Sequence, residues 1–349
     1  MTHVSKRLLF FSLSFFTTVP YSVSAHVSEE SYVMGEGILW ETNDQNFSVK
    51  LNARFQLRHA LPDDMQPLFE ADYLTEGDAE TGFNRSRLKA KGHAVRPWFR
   101  YSIEYELNDG YVLDYQVKAE NFDWLNIKTG QWKIEYSRER SISSGGQQML
   151  DRSILNRHFT LDRHRAVSLY GTFNKGTPSE WQYWLALGTG TGRGGNVVSG
   201  NRLYSGRFQW NYLGKTLDFV ASDTRLSKEP KGSIAYGWAN YESEFTRFSS
   251  SGGGQIIDYE RGAPGQYNVS QFTLNTAYMF AGFSGHAEYH RKTIKNQVDN
   301  SESRTLEGYF VQGGYFFGQI YQWWPEPLEI AARYARYQPD QDTPFTQSE

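Results

Sequence analysis

The 349-residue chain contains no cysteine, so a disulfide scaffold and a thiolate metal site are both excluded. Beyond the N-terminus no apolar run approaches the ~20 residues that a spanning helix needs, and mean hydropathy is −0.63. The chain contains 32 glycines, and aromatic residues make up 16% of it. This composition favours a turn-rich, all-β protein. The net charge of −3 says little about partners, because the basic residues are clustered.

The N-terminus has the pattern of an export signal. Lys6 and Arg7 precede a hydrophobic stretch over residues 8–19, and Val23-Ser24-Ala25 resembles a small-residue cleavage site. An uncleaved anchor helix is the alternative, but the stretch is short, contains serine and threonine, and is followed by Pro20. We therefore predict a signal peptide over residues 1–25, a polar leader over 26–45 and the folded domain over 46–349.

Residues 83–107 form the most regular stretch of the chain. Its first half places Arg85, Arg87, Lys89 and Lys91 at alternate positions, opposite small or apolar residues. Because strand side chains alternate between two faces, the pattern predicts a hairpin with one strongly basic face. Unpaired buried charge is very costly, so this face must contact water. Either the outside of a soluble sheet or the inside of a membrane barrel satisfies that requirement.

The rest of the chain resolves the choice in favour of a barrel. Most of the predicted strands are about as long as the ~9–11 residues that cross a bilayer, and short connections alternate with mostly longer, polar ones. A soluble β-sandwich shows no such alternation. The thirteen predicted strands are the two of the hairpin and residues 46–59, 111–119, 124–133, 165–174, 181–190, 202–213, 215–224, 268–280, 281–295, 304–317 and 328–337.

Several blocks in this order resemble the phosphate-selective porin O and P family of bacterial outer membranes. They are the hairpin, Val112–Lys133 ending in Asn126-Ile-Lys-Thr-Gly-Gln-Trp, Glu139-Arg140 with Leu150-Asp151-Arg152, and Phe283–Thr293. The resemblance implies a sixteen-stranded antiparallel barrel that assembles as a homotrimer and passes anions. It also implies a third external loop, residues 134–164 here, that folds into the pore. Thirteen is an odd number and bacterial barrels have even ones, so we expect the sequence to be truncated by about three strands.

The resemblance also assigns individual residues. Arg85 matches a wall arginine, Arg140 and Arg152 match the central cations of the loop, and Ser143 with Ser144 matches a hydroxyl pair beside them. Two positions depart from the family pattern: Asn84 replaces a second wall arginine, and Arg140 stands where phosphate-selective members have lysine. The loop position therefore keeps its positive charge, but the resemblance does not imply that the channel selects phosphate.

The charges support an anion pathway independently of the family. Residues 85–100 contain six cations and no acid, and residues 126–165 contain eight cations against four acids. Rings of arginine and lysine select anions in pores. The alternative is that these cations only keep the lumen wet, or pair with Glu104 and Glu106 across the hairpin. The candidate anion-binding, pore-lining residues are Arg85, Arg87, Lys89, Lys91, Arg100, Lys133, Arg138, Arg140, Ser143, Ser144 and Arg152.

Motifs for other chemistries are weak. His286, Glu288 and His290 share one strand face, yet a third histidine is not near and polar lining explains them better than a metal site. Gly214-Lys215-Thr216 resembles the end of a phosphate loop, but Gln209 stands where the motif requires glycine. We predict no enzyme activity, no cofactor and no nucleic-acid partner.

The sequence therefore predicts a porin in a Gram-negative outer membrane, surrounded by its lipid. The predicted channel is water-filled and prefers anions, and serves passive uptake of phosphate, polyphosphate or similar small anions. The first alternative is a general, non-selective porin. A secreted β-rich binding protein and an outer-membrane barrel enzyme are the other two alternatives.

Overall fold

The computed structural model describes residues 32–33, 37–60, 80–196, 198–298, 303–340 and 347–348. The predicted signal peptide, much of the predicted leader and the connection 61–79 lie outside the described residues. The strands are β1 Tyr32–Val33, β2 Gly37–Glu41, β3 Ser48–Ala60, β4 Glu80–Ala94, β5 Arg96–Glu106, β6 Tyr111–Ala119, β7 Asn126–Lys133, β8 Arg163–Phe173, β9 Glu180–Gly188, β10 Arg202–Asn211, β11 Lys231–Ser243, β12 Arg247–Ser249, β13 Gly252–Gly254, β14 Tyr267–Phe280, β15 Phe283–Asn296, β16 Arg304–Phe316, β17 Glu329–Gln338 and β18 Gln347–Ser348.

Sixteen of these strands form one sheet, in which each strand pairs antiparallel with its neighbours along the chain. Strands β12 and β13 form a separate small hairpin within the connection between β11 and β14. Helix is confined to α1, Arg138–Ser141, α2, Asn156–Phe159, and the 3-10 turn Phe317–Gln319 within the described ranges. None of the described helices is long and apolar enough to cross a membrane. The predicted all-β porin-type architecture is confirmed.

Side-chain burial shows which face of the sheet meets lipid. On β14 the exposed positions include Leu274 and Phe280, whereas Gln271, Thr273 and Asn275 are buried. On β3 the side chain of Phe55 is 62% exposed. A soluble sheet would bury such apolar side chains and expose the polar ones. An apolar outside and a polar inside are what a barrel wall in a bilayer requires.

One predicted strand is wrong. Residues 215–224 form no strand, and the strand of this region is β11, further along the chain. Alternation of Leu217, Phe219 and Ala221 imitates a strand, but these residues follow one another in a connection that folds inward. In β11 most inward positions hold small residues such as Ala235 and Ala239 instead of polar ones, so the alternation between apolar and polar residues is weak there.

The count of strands also changes. The thirteen long strands, β3–β11 and β14–β17, are joined in the sheet by the short β1, β2 and β18. Strand β2 lies within the predicted polar leader and pairs with β3, where Leu39 faces Lys50. The segments 46–59 and 328–337 have no pairing with each other among the described residues, because β2 adjoins the first and β18 the second.

The two ends of the sheet differ in their connections. At one end the connections are mostly tight turns: Val95 joins β4 to β5, and Ala281-Gly282 joins β14 to β15. In these turns Val95 adopts a φ of 67° and Ala281 a φ of 49°. The other end carries most of the long connections, including residues 134–162. In outer-membrane barrels tight turns are periplasmic and long loops external. We call the two ends the turn end and the loop end.

The apolar core lies inside the sheet, between the wall and residues 134–162, which we call the constriction loop. The loop contributes Ile134, Tyr136, Leu155, Phe159 and Leu161, all at most 2% exposed. They pack against inward side chains of the wall, and burying each such side chain contributes about 1.5–3 kcal/mol. The wall side of this cluster includes Tyr241, Val269, Ile294, Phe310 and Tyr337.

Candidate functional site: a basic cavity inside the barrel

Two adjacent strands build a basic wall. The register of β3 against β4 places Arg54 opposite Arg87 and Gln56 opposite Arg85, and the Arg85 Nη1 donates to Gln56 Oε1 at 2.8 Å. A bulge after Gln56 then shifts the pairing, and Arg58 faces Gly82. The contribution of β3 was missed in the sequence, although its alternating polar residues carry the same signal as β4.

Polar contacts fix the constriction loop against the opposite wall. The amide N–H of Glu139 donates to Glu288 Oε1 at 2.6 Å. The Lys292 Nζ donates to the backbone oxygen of His158, and Gln271 Nε2 donates to that of Phe159, each at 2.9 Å. These contacts attach the loop to β14 and β15. On the other side of the lumen the loop contacts β3 through two side chains, since Ser144 accepts from Arg54 and Asp151 lies 2.9 Å from Arg58.

Glu288 explains the two histidines beside it. Its two carboxylate oxygens face His286 Nε2 and His290 Nε2, each at 2.9 Å, and all three side chains are buried. With one oxygen also accepting from Glu139, this carboxylate has its hydrogen bonds satisfied by the protein. The arrangement fits the predicted polar lining.

Between the basic wall and the constriction loop lies a cavity of about 610 Å³. Nine cationic side chains line it against a single carboxylate, that of Asp151. Hydroxyl groups add further donors, among them Ser144, Ser153 and Thr160. The nine cations are Arg58, Arg85, Arg87, Lys133, Arg140, Arg152, Arg157, Arg163 and Arg247.

Several of these cations have carboxylate partners. Arg87 lies 2.7 Å from Glu106 and 3.2 Å from Glu104, which is the cross-hairpin pairing that the sequence left open. Arg140 pairs with buried Asp162. Such pairs cost desolvation and contribute little net positive potential.

Arg85 and Arg152 instead bond to neutral groups. Arg152 Nη2 donates to the backbone oxygen of Ile142 at 2.8 Å, and Arg85 donates to Gln56. For Lys133 no carboxylate lies within ion-pair distance in the described part of the chain. Arg247 likewise donates to a neutral group, the backbone oxygen of Gln255, at 2.6 Å. The excess positive charge of the cavity therefore includes the guanidiniums of Arg85, Arg152 and Arg247.

Protonation states in the loop follow from burial and charge. Burial, followed by the nearby Arg140, lowers the pKa of Arg152 to about 9, so its guanidinium remains charged at neutral pH. Burial opposes ionisation of Asp162, but Arg140, Arg163 and Lys133 outweigh it and hold its pKa at about 2. Arg152 thus presents a full positive charge to the cavity at neutral pH.

The structure brings six predicted residues to this cavity: Arg85, Arg87, Lys133, Arg140, Ser144 and Arg152. Ser144 also accepts a hydrogen bond from Arg54 at 2.6 Å, whereas Ser143 is exposed and does not line the cavity. Arg138 is buried on the far side of the loop, where it donates to backbone oxygens of Asp218 and Val220.

Three predicted wall cations also lie outside the cavity. Lys89 is 3.5 Å from Glu104, and Lys91 follows it on β4 towards the turn end. Arg100 is 60% exposed and lies 3.3 Å from Glu120. Alternation along a strand predicts the face of a residue correctly, but not its height in the barrel.

Comparison with known proteins places the chain. Among solved structures it is similar to OmpTdeltaL8, a loop-deletion mutant of an outer membrane protein of Vibrio cholerae (TM-score 0.43, 10% identity, 87% of this chain and 97% of that one). It is also similar to OccK9 (OpdG) of Pseudomonas aeruginosa (TM-score 0.35, 11% identity, 89% and 90%). No curated protein matches it in sequence. The profile of phosphate-selective porin O and P matches residues 25–347, so the chain belongs to this family and is an outer-membrane porin.

Proposed function

We propose that this porin forms a water-filled, anion-preferring channel for passive uptake of phosphate, polyphosphate or similar small anions. The observation that carries the proposal is the cavity lining of nine cations and one carboxylate. The cavity lies where the constriction loop faces the basic wall, so an ion that passes along this wall meets the cations.

Coulomb attraction to the cations can offset the hydration that an anion loses in the cavity. A unit charge pair at 4 Å gains about 4 kcal/mol at an effective dielectric constant of 20. Arginine adds paired donors that match the oxygens of phosphate or carboxylate. Release requires that binding be distributed over several weak sites, and the spread of cations from Arg85 to Arg247 provides them.

A general, non-selective porin is the second candidate. The ion pairs Arg87–Glu106, Arg140–Asp162 and Arg163–Asp114 favour it, because they neutralise part of the lining. The two functions differ in one measurable quantity, the ratio of anion to cation permeability.

Export through a cleaved signal peptide and assembly as a homotrimer complete the proposal. The first is supported by the pattern of residues 6–25 and the second by family membership. We propose no catalytic activity, because the members of this family are channels.

The test is the reversal potential of the purified protein in planar bilayers under salt gradients of potassium chloride and potassium phosphate. The double variant R85E/R152E should lose the anion preference, because both cations lack carboxylate partners. The matched control is K175E/K295E, which makes the same change of net charge at exposed sites outside the cavity. An unselective wild-type channel, or equal effects of the two double variants, would contradict the proposal.

A further inference from the structure

The connection between β10 and β11, residues 212–230, folds into the barrel from the turn end. It is attached first to β9, where Thr216 Oγ1 donates to Glu180 Oε1 at 2.6 Å and the Glu180 side chain is fully buried. Leu217, 2% exposed, offers its backbone oxygen to Gln209 Nε2 at 3.2 Å. The first half of the connection is thus held against the inner face of β9 and β10.

The second half is attached to strands that come much later in the chain. Ser222 Oγ donates to Glu329 Oε2 on β17 at 2.6 Å. The Asp223 carboxylate accepts from the amide of Ser227 and, at 3.0 Å, from the amide of Gly282 in the β14–β15 turn. Strands β9 and β17 are far apart in the order of the sheet. The connection therefore crosses the inside of the barrel instead of following its rim.

Between these attachments the connection contacts the constriction loop. Arg138 donates to the backbone oxygens of Asp218 and Val220 at 2.7 and 2.8 Å, and the amide of Ala221 donates to the oxygen of Gly146 at 3.2 Å. The guanidiniums of Arg138 and Arg207 lie 5.9 and 5.4 Å from the centre of the Phe219 ring. Two cations stacked on one ring explain why a phenylalanine stands among polar lumen residues.

We propose that residues 212–230 form a fixed floor below the constriction loop, which closes this half of the lumen at the turn end. Ions must then pass along the basic wall of β3 and β4, and the exposed side chains of Asp218 and Val220 border the exit. The effect of the floor on selectivity rests on the proposed function, whereas its effect on conductance rests only on the channel.

The first experiment uses the absence of cysteine, since an engineered cysteine is the only thiol in the protein. In D218C and V220C we expect sulfonatoethyl methanethiosulfonate to lower single-channel conductance roughly twofold, because a charged group then narrows the passage. The thiolate forms a mixed disulfide with the reagent and releases methanesulfinate. K175C is the control, in an exposed turn at the same end, and its conductance should not change on labelling. Labelling of D218C and V220C without loss of conductance would overturn the proposal.

The second experiment removes the floor by replacing residues 216–224 with Gly-Ser-Gly. Conductance should rise roughly twofold and the anion preference should fall, because ions can then bypass the basic wall. Heat-modifiable mobility shows whether the variant has folded; if it has not, the cysteine variants decide. A folded variant with unchanged conductance refutes the floor. If the wild-type channel shows no anion preference and the conductance of the variant still rises, only the proposed function is refuted and the floor stands.

Discussion

Glu288 on strand β15 accepts the backbone N–H of Glu139 at 2.6 Å, and so joins the constriction loop to the wall. The two partners are 149 residues apart in the chain. The same carboxylate faces His286 and His290, so one buried group holds the wall and the loop together.

We expect E288Q to loosen the loop. Glutamine keeps the shape of the side chain but lacks the charge that accepts three hydrogen bonds, and breaking a buried charged network typically costs about 3–5 kcal/mol. Open-channel current noise should rise, and the temperature of heat-modifiable unfolding should fall. E307Q on the outward face of β16 is the control and should leave the noise unchanged. Wild-type noise in E288Q would show that the apolar core and the hydrogen bonds of Lys292 and Gln271 hold the loop without the Glu288 charge.

We expect D162N to raise the anion preference. Asp162 is the buried counter-ion of Arg140 and lies 3.5 Å from Arg163, so its loss leaves both cations less compensated. The reversal potential should shift further towards the anion, and stability should fall because a buried pair is broken. D123N removes an exposed carboxylate at the turn end and should change neither quantity. An unchanged reversal potential in folded D162N would mean that ions do not pass near Arg140.

His158 should make the folded barrel less stable in acid. Burial and the neighbouring Lys292 lower its pKa to about 3, against about 6.5 for an unfolded histidine. Between these values the unfolded chain binds the proton and the folded chain does not. The free energy of unfolding therefore decreases as the pH is lowered from about 6.5 to about 3. The decrease is at most about 1.4 kcal/mol per pH unit.

The measurement is urea unfolding in detergent at pH 7 and pH 5. Relative to the wild type, H158Q should lose less stability over this interval, because the titrating group is absent. H59Q replaces an exposed histidine and should retain the wild-type pH dependence. The same loss in H158Q and the wild type would exclude His158 as the source.

We expect amine-reactive crosslinking in mild detergent to give a trimer. The expectation rests on family membership, with weaker support from aromatic side chains such as Tyr236 and Tyr334 on the outer faces. Light scattering gives the mass of the uncrosslinked particle as an independent measure. A monomeric mass in both experiments, with heat-modifiable mobility intact, would contradict it.

The sequence determined the fold because the bilayer imposes a simple pattern. Apolar-out, polar-in alternation over strands of bilayer length can be read locally, and twelve of the thirteen long strands were predicted from it. The exception was β11. Its inward alanines blurred the alternation, while Leu217, Phe219 and Ala221 imitated it in the neighbouring connection.

The tertiary structure alone decided which cations meet. Arg85 and Arg138 are equally basic in the sequence, but one faces the cavity and the other anchors the loop to residues 218–220. The pairing of Arg140 with Asp162 and the bond between Glu288 and Glu139 likewise depend on where the loop comes to rest. Alternation fixes the side of a strand on which a residue lies. Its height in the barrel and its partner across the lumen depend on contacts between segments that are distant in the chain.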